Sequence, residues 1–302
     1  MNQTQMDNKR NNILFFVVVF VIIFGFQWYN QPSAEQLAEM RMRDSIDQVQ
    51  AAEKMRAAEL EQAKSKSLDL SKMDSAQLSI IQEEYGAFYS SLSGTENVVS
   101  LENNLIKVDF TTKGGFVKCA ALKEYDSYRG GNVRLNVDSF SKFDVVLPTA
   151  TKNDIHTAQM NFRVKAQSDT SVTLALETAG GESLDFVYTL PNDEYMLGFK
   201  IISNGIDKYM KSETLGIEWD QEVFQNEKGR DFENRYCTVY YKEYEGSVSY
   251  LSETSADKKS FDDDEPLKWV AFKDQFFSNI FVAGESFTAV DIESEVMNDR
   301  SE

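Results

Sequence analysis

The sequence predicts an all-β chain: a large antiparallel sandwich over residues 98–302, preceded by one membrane-spanning helix and a helical tether. Three observations predict it. An uninterrupted apolar run gives way to a polar stretch without Gly or Pro, and from Val98 onward hydropathy alternates with period two. Charge divides along similar lines. Of the net −18, residues 1–30 carry +1, residues 31–93 carry −4 and the remainder carries −15. Composition excludes several function classes. So acidic a surface repels phosphate backbones, which argues against nucleic-acid binding. Two cysteines are too few for a disulfide scaffold or a four-Cys zinc site. A single histidine, His156, leaves no His-rich metal site.

The first unit, residues 1–30, centres on Ile13 to Phe26, a stretch without a polar side chain that includes Phe20. Extended to Trp28 and Tyr29, it reaches the short end of what spans a hydrocarbon core of roughly 30 Å. Lys9 and Arg10 hold the N-terminus in the cytoplasm, and Trp28 and Tyr29 form an aromatic belt at the far interface. A cleaved signal would show a small-x-small site, and a lipoprotein a cysteine after the apolar run. The sequence instead continues into Asn30-Gln31-Pro32. The expectation is an uncleaved anchor, with everything beyond residue 30 exported.

Residues 31–97 form the second unit. Pro32 breaks any preceding helix, Ser33 can cap the next, and Gln36 occupies the capping-box position. From Ser33 to Tyr85 good helix formers dominate, with Met42, Ile46, Val49, Ala52, Met55 and Leu60 only loosely spaced at three to four. No heptad persists, so the stretch reads as a solvated helical tether, with a coiled coil or a partner-binding helix as alternatives. Gly86 and the Ser90–Gly94 run end it.

Strands follow. Ile106, Val108 and Phe110 alternate with Lys107 and Asp109, and Met160, Phe162 and Val164 with Asn161 and Arg163. Val172, Leu174 and Leu176 lead through Gly180-Gly181 to Leu184, Phe186, Tyr188 and Leu190, and Leu215, Ile217 and Trp219 repeat the pattern. Asn103-Asn104, Gly114-Gly115, Gly130-Gly131 and Asn204-Gly205 supply further turns. Val270 to Phe272 and Phe276 to Val282 are apolar on both parities, which predicts the deepest strands of the domain.

Candidate chemistry is sparse. His156 shows no partner in the sequence and reads as a surface or strand-edge residue. Cys119 and Cys237 would lie in an oxidising compartment, where a disulfide is permitted, but both also fit as small core side chains. The acidic run Asp262 to Glu265 lacks the alternate spacing of a calcium loop and reads as a solvated turn before Pro266. Gly114-Gly115 and Gly180-Gly181 precede no helix and are turn glycines, not phosphate cradles. Glu218-Trp219-Asp220 and Asp231-Phe232-Glu233 interleave carboxylates with aromatics, as sugar-binding clefts do and as alternating strands also do.

Several segments resemble one family. Leu101 to Val108 running into Thr112-Lys113-Gly114-Gly115 is similar to the opening hairpin of the large periplasmic domain of YidC-type membrane protein insertases. Cys119 to Tyr125, Tyr188 to Pro191, Phe232-Glu233-Asn234-Arg235-Tyr236 and the run Leu267 to Phe277, with Trp269, Phe276 and Phe277, continue the likeness. The resemblance implies a galactose-mutarotase-like β-supersandwich in the periplasm. It also implies a bacterial inner-membrane location, and a role in inserting, folding and assembling membrane proteins, alone or with the Sec translocon. Implied partners are inner-membrane lipid, nascent membrane proteins and Sec components. No enzyme activity, cofactor, metal, small-molecule substrate or nucleic acid is expected. The family's inserting bundle, five further spans with a basic residue, has no counterpart before Glu302, so the expectation is the front portion of a longer protein. Two alternatives stand beside it: a membrane-anchored glycan- or peptide-binding module, and a mutarotase-like epimerase that would depend on His156 facing a carboxylate across a cleft.

Overall fold

The structure, a computed structural model, describes residues 70–295 apart from 129, 138–139, 224 and 230–232. The expected anchor, with Lys9, Arg10, Ile13, Phe20, Trp28 and Tyr29, and most of the tether lie outside the described residues. Among the described residues no helix is long and apolar enough to cross a membrane.

Helix α1 (Ser75–Tyr85) opens on a capping box. The Asp74 carboxylate accepts the Gln77 N–H at 2.8 Å, and the Gln77 side chain accepts the Asp74 N–H at 3.1 Å. The helix stops at Gly86, whose φ of 53° suits glycine, and a tight helical turn over Gly86–Leu92 follows. That turn drives Phe88 and Leu92 into the main hydrophobic core. Packing against the sheets therefore reaches upstream of Val98, to Phe88 and Leu92.

Seventeen strands, all paired antiparallel, follow among the described residues, with short helical turns at Thr157–Gln159, Asp207–Tyr209 and Asn234–Tyr236. β1 (Val98–Glu102), β2 (Ile106–Thr111), β3 (Val117–Asp126) and β4 (Asn132–Leu135) form a four-stranded meander. A second meander joins β7 (Arg163–Gln167), β8 (Ser171–Glu177), β9 (Ser183–Thr189) and β10 (Gly198–Asn204). The third sheet is not sequential. β5 (Ser141–Leu147) lies between β6 (Ile155–His156) and β11 (Gly216–Gln221). The fourth has the order β13 (Val248–Tyr250), β12 (Thr238–Glu243), β15 (Leu267–Lys273), β16 (Ser278–Phe287). β14 (Asp257–Phe261) pairs with β17 (Val290–Ser294).

The alternation seen in the sequence sets these faces. Phe110, Leu174, Phe186 and Tyr188 are wholly buried with Val145 and Leu147 in one cluster beneath the first three sheets. Val239, Tyr241, Phe261, Leu267 and Ile292 form a second cluster between the fourth sheet and the β14–β17 pair. Trp219 sits where they meet, edge-on to Phe272 at 4.6 Å and to Phe281 at 6.0 Å.

One expectation is overturned. Val270 to Phe272 and Phe276 to Val282 are not the deepest strands. Val270 and Phe272 are half-buried, while Phe276, Ile280 and Val282 are exposed. β16 is an edge strand with one face on the core, so only alternate residues such as Phe281 turn inward. Its outward apolar residues stand in an aromatic sheet face rather than in the interior.

Candidate functional site

The motif residues that carry the family resemblance divide into clasp and surface. Gly114 and Gly115, at φ 77° and 72°, turn β2 into β3. A Cβ on Gly115 would meet the Phe162 ring at 3.0 Å, so the turn presses directly on the segment before β7. The Gly114 N–H donates to Met160 O at 2.9 Å, and Lys113 Nζ donates to Gln159 O at 2.6 Å. The buried Tyr188 hydroxyl donates to Gly115 O at 2.8 Å. Burial also lowers the Lys113 pKa, partly opposed by Glu96. Lys113-Gly114-Gly115 is thus a clasp joining the two meanders. Phe232 and the Asn234 side chain lie outside the described residues, and Arg235 is exposed. Phe277 is half-buried, edge-on to Tyr125 at 5.3 Å.

Trp269 belongs to the outer face of the fourth sheet, and Phe276 lies exposed in the turn between β15 and β16. Register places Tyr250, Tyr240, Ala271 and Ile280 in one row across the outer face of the fourth sheet, and Val248, Lys242, Trp269 and Val282 in the next. Tyr240 stacks on Tyr250 at 4.9 Å. Val248, Tyr250, Ile280 and Phe276 are each more than half exposed, at 53%, 56%, 55% and 66%. Between these exposed side chains Tyr240 and Trp269 are half-buried and Ala271 is buried at 3%. On the inner side, Ile217, Trp219, Val239, Val270, Phe272 and Phe281 line an open apolar cleft of about 150 Å³.

Two polar clusters stand apart from that surface. His156 Nδ1 lies 2.6 Å from Asp144 Oδ2. Asp144 Oδ1 accepts the Ala158 N–H at 2.9 Å and the buried Thr157 hydroxyl at 3.1 Å. Glu218, on β11, stands directly opposite Asp144. His156 is therefore the strand-edge residue expected, but with a carboxylate partner that the sequence did not reveal. It does not line the apolar cleft, as the epimerase reading would require.

The second cluster is buried. Glu233 Oε1 accepts the N–H groups of Asn226 and Glu227 at 2.9 and 3.2 Å. Burial pushes its pKa up to about 7 against those two donors, with further upward pressure from Asp274. The Cys237 thiol donates to Glu233 O at 3.4 Å and approaches Asp274 Oδ1 at 3.6 Å; burial, then Asp274 and Glu233, push it up to about 12. Cys119 and Cys237 are both free thiols. Glu265 N–H closes the acidic run onto Asp262 O at 3.0 Å as an exposed turn.

The geometry defines an acidic, antiparallel β-sheet domain with an aromatic outer face. Residues 98–300 match the family model of the YidC periplasmic domain. The chain is 35% identical over 297 residues to the membrane protein insertase YidC of Parabacteroides distasonis, covering 95% of this chain and 46% of that protein. It is 34% identical over 288 residues to the YidC of Phocaeicola vulgatus, covering 94% and 44%. It is also 32% identical over 298 residues to that of Bacteroides fragilis, covering 95% and 45%. The chain belongs to the YidC family. It spans just under half the length of these relatives, at 44–46%.

Proposed function

We propose that this chain forms the anchor (1–30), tether (31–97) and periplasmic β-supersandwich (98–302) of a YidC-type insertase. In that setting it assists the insertion, folding and assembly of inner-membrane proteins, alone or beside the Sec translocon, without catalysis of its own. The match of residues 98–300 to the YidC periplasmic domain carries the reading. Supporting it, similarity to the Parabacteroides distasonis YidC extends over 95% of the chain, too much to leave out the whole apolar run from Ile13 to Tyr29. In this proposal Lys9 and Arg10 stay cytoplasmic, and Ile13, Phe20, Trp28 and Tyr29 meet lipid. Lys113, Gly114 and Gly115 hold the meanders together, while Trp269, Phe276 and Phe277 belong to the surface offered to nascent chains or Sec components. Phe232, Asn234 and Arg235 complete the same motif series.

The test uses the full chain in a Gram-negative cell. Alkaline phosphatase fused after Glu302 is active if the bulk of the chain is periplasmic, and an inactive fusion refutes the topology. A photo-crosslinking residue at Tyr250 or Ile280 then captures a nascent membrane protein or a Sec component. Products only from positions on the β7–β10 sheet would refute the assigned surface. The cleft beside Trp219 favours one second reading, a peptide- or glycan-binding module. Titration with peptides and peptidoglycan fragments that leaves Trp219 fluorescence unchanged removes it.

A further inference from the structure

Three neighbouring strands present one imidazole and two carboxylates to the same open face. Asp144 on β5 and Glu218 on β11 are direct cross-strand partners, and His156 on β6 lies beside Asp144. One ligand atom from each falls within 4.8 Å of the other two. A first-row divalent cation bound at about 2.0–2.2 Å to each would replace the 2.6 Å contact between His156 Nδ1 and Asp144 Oδ2, opening that pair slightly while the exposed Glu218 carboxylate swings in. Two further features favour a ligand here. Like charges directly opposed on adjacent strands destabilise a sheet, so the Asp144–Glu218 pairing is a cost that a cation would reverse. Asp144 is also oriented in advance: the Ala158 N–H and the Thr157 hydroxyl fix Oδ1, and Thr157 is itself held by the Val145 N–H at 2.9 Å. That leaves Oδ2 directed at the imidazole. Supporting hydrogen bonds of this type are what orient ligating carboxylates in metal sites.

We propose that Asp144, His156 and Glu218 form a binding site for a divalent transition-metal ion, of which Zn²⁺ is the preferred example. Imidazole disfavours Ca²⁺ and Mg²⁺, which take all-oxygen shells, while the mixed nitrogen and oxygen donors suit Zn²⁺. The site ties β11 to β5 and β6. Its remaining coordination position faces solvent, because Glu218 is exposed and His156 is 40% exposed at its side chain. Water or a donor from a partner protein can complete it. The site lies outside the aromatic face and the apolar cleft, so it stands whether or not those surfaces bind membrane proteins.

The experiment is calorimetric titration of the full chain in detergent with ZnCl₂, and with MgCl₂ in parallel. One Zn²⁺ per chain should bind, with Mg²⁺ weaker by at least about 100-fold. His156→Gln and Glu218→Gln should each weaken Zn²⁺ by about tenfold or more. Glu218 is exposed, so its variant tests the site without threatening the fold. Co²⁺ added in place of Zn²⁺ should give visible d–d absorption that both variants lose. Zn²⁺ binding that is weak, multiple and unchanged in both variants would assign it to the diffuse acidic surface and overturn the proposal. So would Co²⁺ spectra that survive in both.

Discussion

Glu233 reaches back seven residues to accept the main-chain N–H of Asn226 at 2.9 Å, from a position only 1% exposed. Its carboxyl closes the loop before β12 and lies against Asp274 in the turn between β15 and β16. Burial raises its folded pKa above the ordinary 4.5, to about 7. The folded state therefore holds this proton more tightly than the unfolded chain. Stability from this group is greatest below about pH 4.5 and falls as pH rises through about 7. The loss should be on the order of 1–3 kcal/mol between about pH 5 and pH 8. Glu233→Gln keeps a carbonyl for the two N–H groups and removes the charge, so its urea midpoint should vary less over that window. A wild-type midpoint that rises steadily from pH 5 to 8, equally in the variant, would contradict this.

Cys237 follows from the same pocket. A thiol pushed up to about 12 stays protonated at neutral pH, and burial also raises Cys119. Cys237 should react with iodoacetamide at pH 8 more slowly in the folded chain than in urea, by roughly 100-fold or more, and Cys119 should also be slowed. Mass spectrometry counts the labels. Two labels in urea without reductant are expected for the free thiols, and none would mean that Cys119 and Cys237 are joined.

Gly115 provides a stability test of the clasp. Its φ of 72° disfavours any side chain, and an added Cβ meets the Phe162 ring at 3.0 Å. Gly115→Ala should cost about 1–3 kcal/mol, read as a lower thermal midpoint. Gly131 shares the positive φ with nothing within 4 Å of the added Cβ, so Gly131→Ala should cost less.

Phe88 tests where the folded unit begins. It is 1% exposed and lies edge-on to Tyr209 at 6.0 Å. Phe88→Ala should cost about 3–5 kcal/mol. A chain starting at residue 98 should likewise unfold at lower urea than one starting at residue 67. Equal midpoints would return the boundary to residue 97.

These cases show what the sequence made legible. Period-two alternation located β2, β8 and β9 and their inward residues, because side-chain parity is a local property. Paired glycines located the turns for the same reason. Phe88 was missed because its surroundings read as the frayed end of a tether; only packing reveals its use. Glu218 stands out in sequence within a carboxylate–aromatic run, but its pairing with Asp144 does not. Their meeting depends on β5 pairing with β11, and the intervening β6 to β10 give no local sign of that. The edge position of β16 is equally non-local, which is why its apolar residues were assigned to the interior.

β16 also gives the sharpest separation of folding from function. Ile280 and Phe281 are adjacent, yet parity sends them to opposite faces. Phe281 turns inward, with ring centroids 5.1 Å from Phe287 and 6.0 Å from both Phe143 and Trp219. Ile280 stands outward, 55% exposed, across from Ala271. Phe281→Ala should therefore cost about 2–4 kcal/mol through the cavity it leaves between the two clusters. Ile280→Asp removes exposed apolar area and should change stability by no more than about 1 kcal/mol. It should nevertheless abolish photo-crosslinks from a probe at Tyr250, because a carboxylate in that row opposes docking of an apolar segment. If Ile280→Asp leaves those crosslinks intact, the outer face of the fourth sheet is a solvated surface and the partner meets the domain elsewhere.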